Sequence, residues 1–293
     1  MKKLNNAKEI RHFYDGSMEY DEINEELNLL KVCLITTHRC TLKCKLCAER
    51  TAYFEKRYHP TLDEIYKSLD QYFRLVTFTE KVDVSGGEPL TRNDLSDIMR
   101  RLLRYKDQFG RVRILTNGTL VPSDELCAVL KQFKDQADVL IDDYGSISPN
   151  ATAAKQKLKE YGIDFILRPQ NEKELHFGGW IDYGDLSLKN TPEEAEKLFK
   201  KCAINAKIGL AIRIRDGKLT PCMVTDQLNG LKGVQTPSEE VVDLFDEELS
   251  DKEKRKKIIH FFQMSYFDAC RYCNGLCSDS KRYLPAEQLH IDS

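Results

Sequence analysis

The chain has 293 residues, 41% hydrophobic and 31% charged, with a formal net charge of −2. That length suits one large domain and a smaller one. The composition supports a buried core, and the near balance of charge leaves no footprint for a nucleic-acid partner. No apolar run approaches the roughly 20 residues of a membrane span. The opening MKKLNNAKEIRHFYDG lacks the apolar stretch of a secretory signal, so a cytoplasmic protein without membrane contact is expected. Ten cysteines in a reducing compartment point to metal or catalysis rather than disulfides.

Residues 1–29 are mostly polar and read as a helical lead-in. From about residue 30 strand and helix signals alternate. LKVCLITTH is an apolar run that ends at a cysteine cluster. Thr61 and Glu64 form a capping box for a helix with Leu62, Ile65, Leu69 and Phe73 on one face. KVDVS is a short strand ending at Gly86-Gly87. Leu95, Ile98, Met99 and Leu102 recur at helical spacing. RVRILTNG is a strand and turn, and Ser123 caps a helix bearing Leu126, Val129, Leu130 and Phe133. VLIDDYG is a strand, residues 150–161 a helix stopped by Gly162, and DFILRP another strand. This order argues for parallel strands with crossover helices.

The pattern changes after residue 176. HFGGWIDYG reads as one last strand. Thr191, Pro192 and Glu194 start a helix. Leu210, Ile212 and Ile214 alternate before a turn at Asp216-Gly217, which reads as a hairpin. Ser250 and Glu253 cap a last helix. The expected units are therefore a lead-in (1–29), an α/β domain (30–190) and a small C-terminal domain (191–293).

Cys40, Cys44 and Cys47 form C-x3-C-x2-C directly after a strand. Three thiolates suit a soft metal or an iron–sulfur cluster, and three protein ligands leave one iron of a four-iron cluster open. The alternatives are a zinc site completed by His38 or His59, and a chance grouping. SGGEP follows another strand. Its glycines let a ligand approach the backbone, and Glu88 can bind an ammonium group. By itself it also fits an ordinary turn.

Together, CTLKCKLC and SGGEP resemble the radical S-adenosylmethionine (SAM) superfamily, in its order and separation. The resemblance implies an α/β fold, a partial (β/α)6 TIM-like barrel. It also implies a [4Fe–4S] cluster on Cys40, Cys44 and Cys47 that chelates SAM, with Gly86, Gly87, Glu88 and Pro89 at the SAM amine. Leu46 stands where the family usually has an aromatic residue, which keeps an apolar adenine contact without stacking. Asn117 would end a strand at the SAM site. Asp142 would meet ribose hydroxyls, as could Asp143, and Arg168 the SAM carboxylate. Each also fits a turn or a solvated position.

Cys202, Cys222 and the C-x2-C-x3-C of Cys270, Cys273 and Cys277 resemble the twitch domain, a shortened SPASM extension. That implies a small α+β unit with an auxiliary [4Fe–4S] cluster on Cys202, Cys222, Cys270 and Cys273; from the residues alone, structural zinc fits too. Cys277 is the expected spare and a candidate catalytic thiol, able to return a hydrogen atom. Cys33 and Cys127 read as buried structural thiols.

The resemblance implies radical removal of hydrogen from a hydroxyl-bearing carbon of a sugar, nucleotide sugar or cyclitol. Epimerisation or dehydrogenation would follow, with an electron donor such as flavodoxin or ferredoxin. IDDYGSIS, FGGWIDYG and RYLPAEQL look like radical SAM proteins of glycan pathways, and Trp180 and Tyr183 could stack on a sugar. The alternatives are a peptide or protein maturase and a non-enzymatic zinc-binding protein.

Overall fold

A computed structural model describes residues 18–289 apart from residues 172 and 211. The first 17 residues of the expected helical lead-in lie outside the described residues. The remainder is not helical. β1 (Met18–Asp21) pairs antiparallel with the start of β2 (Glu26–Thr37). Met18, Leu27 and Leu29 are buried from this hairpin, so alternation over a short polar stretch outweighs the overall polarity.

The chain then winds through α1 (Leu62–Leu75), β3 (Phe78–Gly86), α2 (Leu95–Leu103), β4 (Phe109–Thr116) and α3 (Asp124–Leu130). β5 (Ala137–Asp143), α4 (Ala151–Tyr161) and β6 (Asp164–Pro169) follow. α1 carries the expected capping box of Thr61 and Glu64, worth about 1 kcal/mol. It buries Ile65, Leu69, Tyr72 and Phe73 against the sheet. Gly162 ends α4 in the left-handed conformation, with φ of 68°.

β2 to β6 are parallel neighbours in chain order. Val32, Val82, Val112 and Val139 are buried, with neighbours on the same face, against α1 to α4. The opposite face places Cys33, Asp83, Arg113 and Asp138 in register. Arg113 holds Asp138 through two hydrogen bonds of 2.5 and 2.8 Å, so the polar layer is paired.

Past β6 the HFGGWIDYG segment differs from expectation. It forms a short 3-10 turn (His176–Gly178) and one antiparallel bridge, Trp180 to Tyr283. Phe177, Gly178 and Gly179 have positive φ, which breaks a strand, and a side chain at Gly179 would crowd the Tyr283 carbonyl.

α5 (Pro192–Lys201) and α6 (Ala203–Ala206) lead to the hairpin of β7 (Ile212–Arg215) and β8 (Lys218–Thr220). α7 (Met223–Lys232), β9 (Val242–Asp243) and α8 (Asp251–Phe261) complete the elements. β7 lies parallel to β2, so the sheet runs β6-β5-β4-β3-β2-β7-β8-β9. This is a mostly parallel α/β sheet as expected, with five parallel strands, β2 to β6, in the barrel segment and a sixth, β7, supplied by the C-terminal hairpin. The sixth, however, joins beside the first instead of extending past β6. Among the described residues no helix is long and apolar enough to cross a membrane.

Candidate cofactor sites

The first cysteine loop starts where β2 ends. Its backbone is stitched to the end of β3: Gly87 N–H donates to the Thr37 carbonyl (2.6 Å) and Glu88 N–H to the Arg39 carbonyl (2.8 Å). A Cβ at Gly86 would collide with the Thr37 carbonyl, and one at Gly87 with that of Arg39. Gly86 also has φ of 134°, so the paired glycines are a steric requirement of this contact. Pro89 starts a 3-10 turn.

Cys40, Cys44 and Cys47 follow within the loop. Their sulfurs each face a hydrogen-bonding group: Asn117 Nδ2 at 3.6 Å from Cys40, Gln288 Nε2 at 3.3 Å from Cys44, and Thr51 Oγ1 at 3.9 Å from Cys47. Burial pushes the Cys40 thiol up to about 11 and the Cys44 thiol up to about 12. The Cys47 thiol raises both further. Three soft ligands with N–H groups aimed at sulfur fit a [4Fe–4S] cluster with one open iron. Among the described residues no three His, Cys, Asp or Glu side chains are grouped to hold a single metal ion.

Glu88 is fully buried and accepts from Leu90 N–H (3.0 Å) and Asn117 N–H (2.7 Å). Burial pushes its carboxyl up to about 7. The expected ligand of the SAM ammonium is thus engaged with backbone amides, and it ties the end of β3 to the end of β4. Asn117 sits between Glu88 and Cys40 and also donates to Thr41 Oγ1 (3.1 Å). Asp142 and Arg168, expected on two different parts of SAM, pair with each other.

The two histidines weighed as zinc ligands have other surroundings. His38 is buried against Phe54 and Tyr58, and burial pulls it down to about 3. His59 Nδ1 lies 2.9 Å from Thr37 Oγ1.

The elements that carry the C-terminal thiols are neighbours, since α5 and α7 both pack against the 3-10 turn at Asp268–Tyr272. Cys202 ends α5, Cys222 precedes α7, Cys270 lies within the 3-10 turn and Cys273 follows it. Burial raises Cys270 well above its usual range, and Cys222, Cys273 and Cys202 each add to it. Cys222 responds likewise to Cys273 and Cys202. Cys277 is different. Cys202 is the thiol that acts on it, and it lines an outer groove with Lys197, Lys201 and Asp279. Tyr183 is raised by burial and then by Cys273, Cys202 and Cys222, so it lies beside this group. Trp180 meets the Tyr144 ring edge-on at 5.8 Å. A cavity of about 250 Å³ separates Leu46, Cys47 and Tyr53 from Asp182 and Tyr183.

Sequence reasoning missed two groups. The tail around Gln288 pairs with the first loop through a Cys44 bridge, a long-range contact with no local signal in the sequence. Glu49, Arg213, Asp226 and Gln227 link that loop to the hairpin and α7, with no local signal in the sequence.

A mostly parallel α/β sheet with three thiols and a glycine turn at the C-terminal ends of its strands is a cofactor-presenting partial barrel. Residues 34–167 match the Radical SAM superfamily, and this part of the chain is a radical SAM domain. The domain type carries a [4Fe–4S] cluster and SAM.

The chain is 30% identical over 173 residues to GTP 3′,8-cyclase of Limosilactobacillus fermentum, covering 53% of this chain and 51% of that protein. It is 27% identical over 164 residues to 7,8-dihydro-6-hydroxymethylpterin dimethyltransferase of Methanocaldococcus jannaschii, covering 50% and 32%. The chain thus spans about half or less of the length of these curated relatives. Among solved structures, BtrN in complex with AdoMet and 2-DOIA aligns with a TM-score of 0.55 at 14% identity, covering 86% of this chain and 96% of that one. Native anSMEcpe with bound AdoMet aligns at 0.53 and 16% identity, covering 87% and 93%. These two likenesses show the fold.

Proposed function

We propose that the chain is a radical SAM enzyme that oxidises a hydroxyl-bearing ring carbon of a sugar, nucleotide or cyclitol. Cys40, Cys44 and Cys47 would hold the SAM-binding cluster. Cys202, Cys222, Cys270 and Cys273, in a C-terminal unit from about residue 191, would hold an auxiliary [4Fe–4S] cluster. The observation that carries this is the second thiol group. Cys202, Cys222, Cys270 and Cys273 lie at the end of α5, at the start of α7 and on the 3-10 turn that packs against both helices, while Cys277 lines an outer groove.

SAM bound at the first cluster supplies a 5′-deoxyadenosyl radical when reduced. The chain's own part is to place a C–H bond near that site and to exclude water. Gly86 and Gly87 bring backbone close to the loop, and Asn117 orients between Cys40 and Glu88. Oxidising an alcohol carbon to a ketone removes two electrons and two protons. The hydrogen atom takes one electron, and the chain must house an acceptor for the other. Four gathered thiols suit that task. The choice of ring carbon is supported by the cyclase relative, whose name specifies the 3′ position of GTP, a ribose carbon with a hydroxyl. A one-electron donor of the flavodoxin or ferredoxin kind completes the reaction.

The test is anaerobic reconstitution followed by SAM, reductant and a panel of nucleotides, nucleotide sugars, cyclitols and peptides. The expected metal content is about eight irons per chain, from two four-iron clusters. The expected product has lost two hydrogens from one small-molecule substrate, with equivalent 5′-deoxyadenosine. Stoichiometric zinc without labile sulfide would reject the enzyme; a modified peptide would reject the substrate class.

A further inference from the structure

Glu49 lies two residues past Cys47, and Arg213 lies on β7. Arg213 donates from Nη1 and Nη2 to both Glu49 oxygens (2.8 and 2.5 Å) and from Nε to Asp226 Oδ2 (3.0 Å). Thr220 Oγ1 donates to the other Asp226 oxygen at 2.9 Å. One residue on, Gln227 donates to the Ala48 carbonyl (2.5 Å) and accepts from Arg50 Nε (3.0 Å). Arg50 also reaches the Gly184 carbonyl, next to Tyr183. Arg213 and Gln227 are 5% and 2% exposed, so these contacts are shielded from water.

Ala48 and Arg50 are therefore bound to Gln227 of α7, which starts after Cys222, and Glu49 between them is tied to the same helix through Arg213 and Asp226. Apolar side chains would seal this contact without the cost of burying charge. A guanidinium forked on one carboxylate adds direction, because it fixes the plane of the partner as well as its distance.

We infer that Arg213 and Gln227 are positioning residues that clamp Ala48–Arg50 to α7 and so orient the Cys47 sulfur. The first cysteine loop takes its working geometry only when the second cysteine group is folded against it. This rests on the assignment of Cys40, Cys44 and Cys47 as cluster ligands.

The test uses the full chain with Arg213→Lys and Gln227→Leu. Arg113→Lys is the control, since it breaks the forked pair with Asp138 elsewhere in the sheet. Amide exchange over residues 47–53 is followed in metal-free and reconstituted protein, with electron paramagnetic resonance of the reduced first cluster before and after SAM.

Both clamp variants should exchange roughly tenfold faster over 47–53, the scale of a lost charge-assisted hydrogen bond. The SAM-induced spectral change should be altered in them, with the auxiliary signal as in the wild type and the control unaffected. If Arg213→Lys does not fold, Gln227→Leu decides alone. Unchanged exchange and spectra, or equal effects in Arg113→Lys, overturn the clamp. A wild-type chain that takes up no iron defeats the ligand assignment instead, while exchange in metal-free protein still reports on the clamp.

Discussion

Asp142 and Arg168 stand opposite each other on β5 and β6 and hold each other through hydrogen bonds of 2.5 and 2.8 Å. Gln170 Nε2 adds a third bond to Asp142 at 3.1 Å. Both residues lie at the strand ends where SAM is expected, yet each is the other's partner. A carboxylate with about four acceptor sites and a guanidinium with five donors keep capacity for a ligand. The pair is thus one coupled unit with hydrogen-bonding capacity left at these strand ends.

A unit behaves non-additively. Asp142→Asn and Arg168→Gln should each weaken SAM binding, and the double variant should be little worse than either. The expected coupling is about 0.5–3 kcal/mol, measured by calorimetric titration of SAM. Additive losses would mean that the two side chains meet SAM separately, as the sequence suggested.

Glu88→Gln should destabilise the chain before it affects SAM. The amide keeps one acceptor but turns an NH2 group toward a backbone N–H of Leu90 or Asn117. Above a pH of about 7, where the raised carboxyl is ionised, losing one charge-assisted bond in a buried site costs about 1.5–3 kcal/mol. Urea unfolding should show that loss, with weaker SAM binding as a consequence of a displaced Asn117. Full stability together with lost SAM affinity would restore the carboxylate as a direct ligand of the ammonium.

Local features of this chain were legible in its sequence. The capping boxes of Thr61 with Glu64, Thr191 with Glu194 and Ser250 with Glu253 all form, because a helix start depends on four adjacent residues. The three-cysteine motif and SGGEP identified the loop and turn that meet. Partners were harder. Glu88 was singled out, but its acceptor role depends on Asn117, 29 residues away. Asp142 and Arg168 pair only because β5 and β6 align in one register. The place of β7 beside β2 follows from a long-range contact that no window of sequence contains. HFGGW had strand-like residues but requires positive φ at three of them in a row.

Glu240 should make stability depend on pH. It is buried, its Oε1 accepts from Asp268 N–H (2.6 Å), and its Oε2 has no hydrogen-bond partner. Burial pushes its carboxyl from the usual 4.5 up to about 7. The folded chain then binds the proton more tightly than the unfolded chain. Stability from this group is fully present below about 4.5 and is lost as pH rises to about 7. Glu240→Gln removes the loss. Relative to wild type, the variant should gain on the order of 1–3 kcal/mol between pH 4.5 and 8, read from urea unfolding at both. A difference that does not change with pH would place the titration elsewhere.

Cys277 separates oxidation from epimerisation. A thiol can return a hydrogen atom to a carbon radical because its S–H bond is weak, and it would then need to face the substrate. Cys277 lines a groove with Lys197 and Lys201 of α5, and its backbone N–H donates to Ser280 Oγ (2.9 Å). Oxidation therefore predicts that Cys277→Ala keeps about eight irons, the count for two four-iron clusters, and still forms product. Turnover in deuterated water should leave no deuterium on the product carbon, apart from exchange next to a ketone. Epimerisation predicts the reverse. The variant would still cleave SAM but yield no inverted product, and the wild type would place one solvent deuterium on the inverted carbon. Loss of iron in Cys277→Ala would make it a ligand, and the spare thiol would then have to be found among Cys202, Cys222, Cys270 and Cys273. Metal analysis of the variant thus comes first, and isotope placement in the wild-type product then decides the reaction.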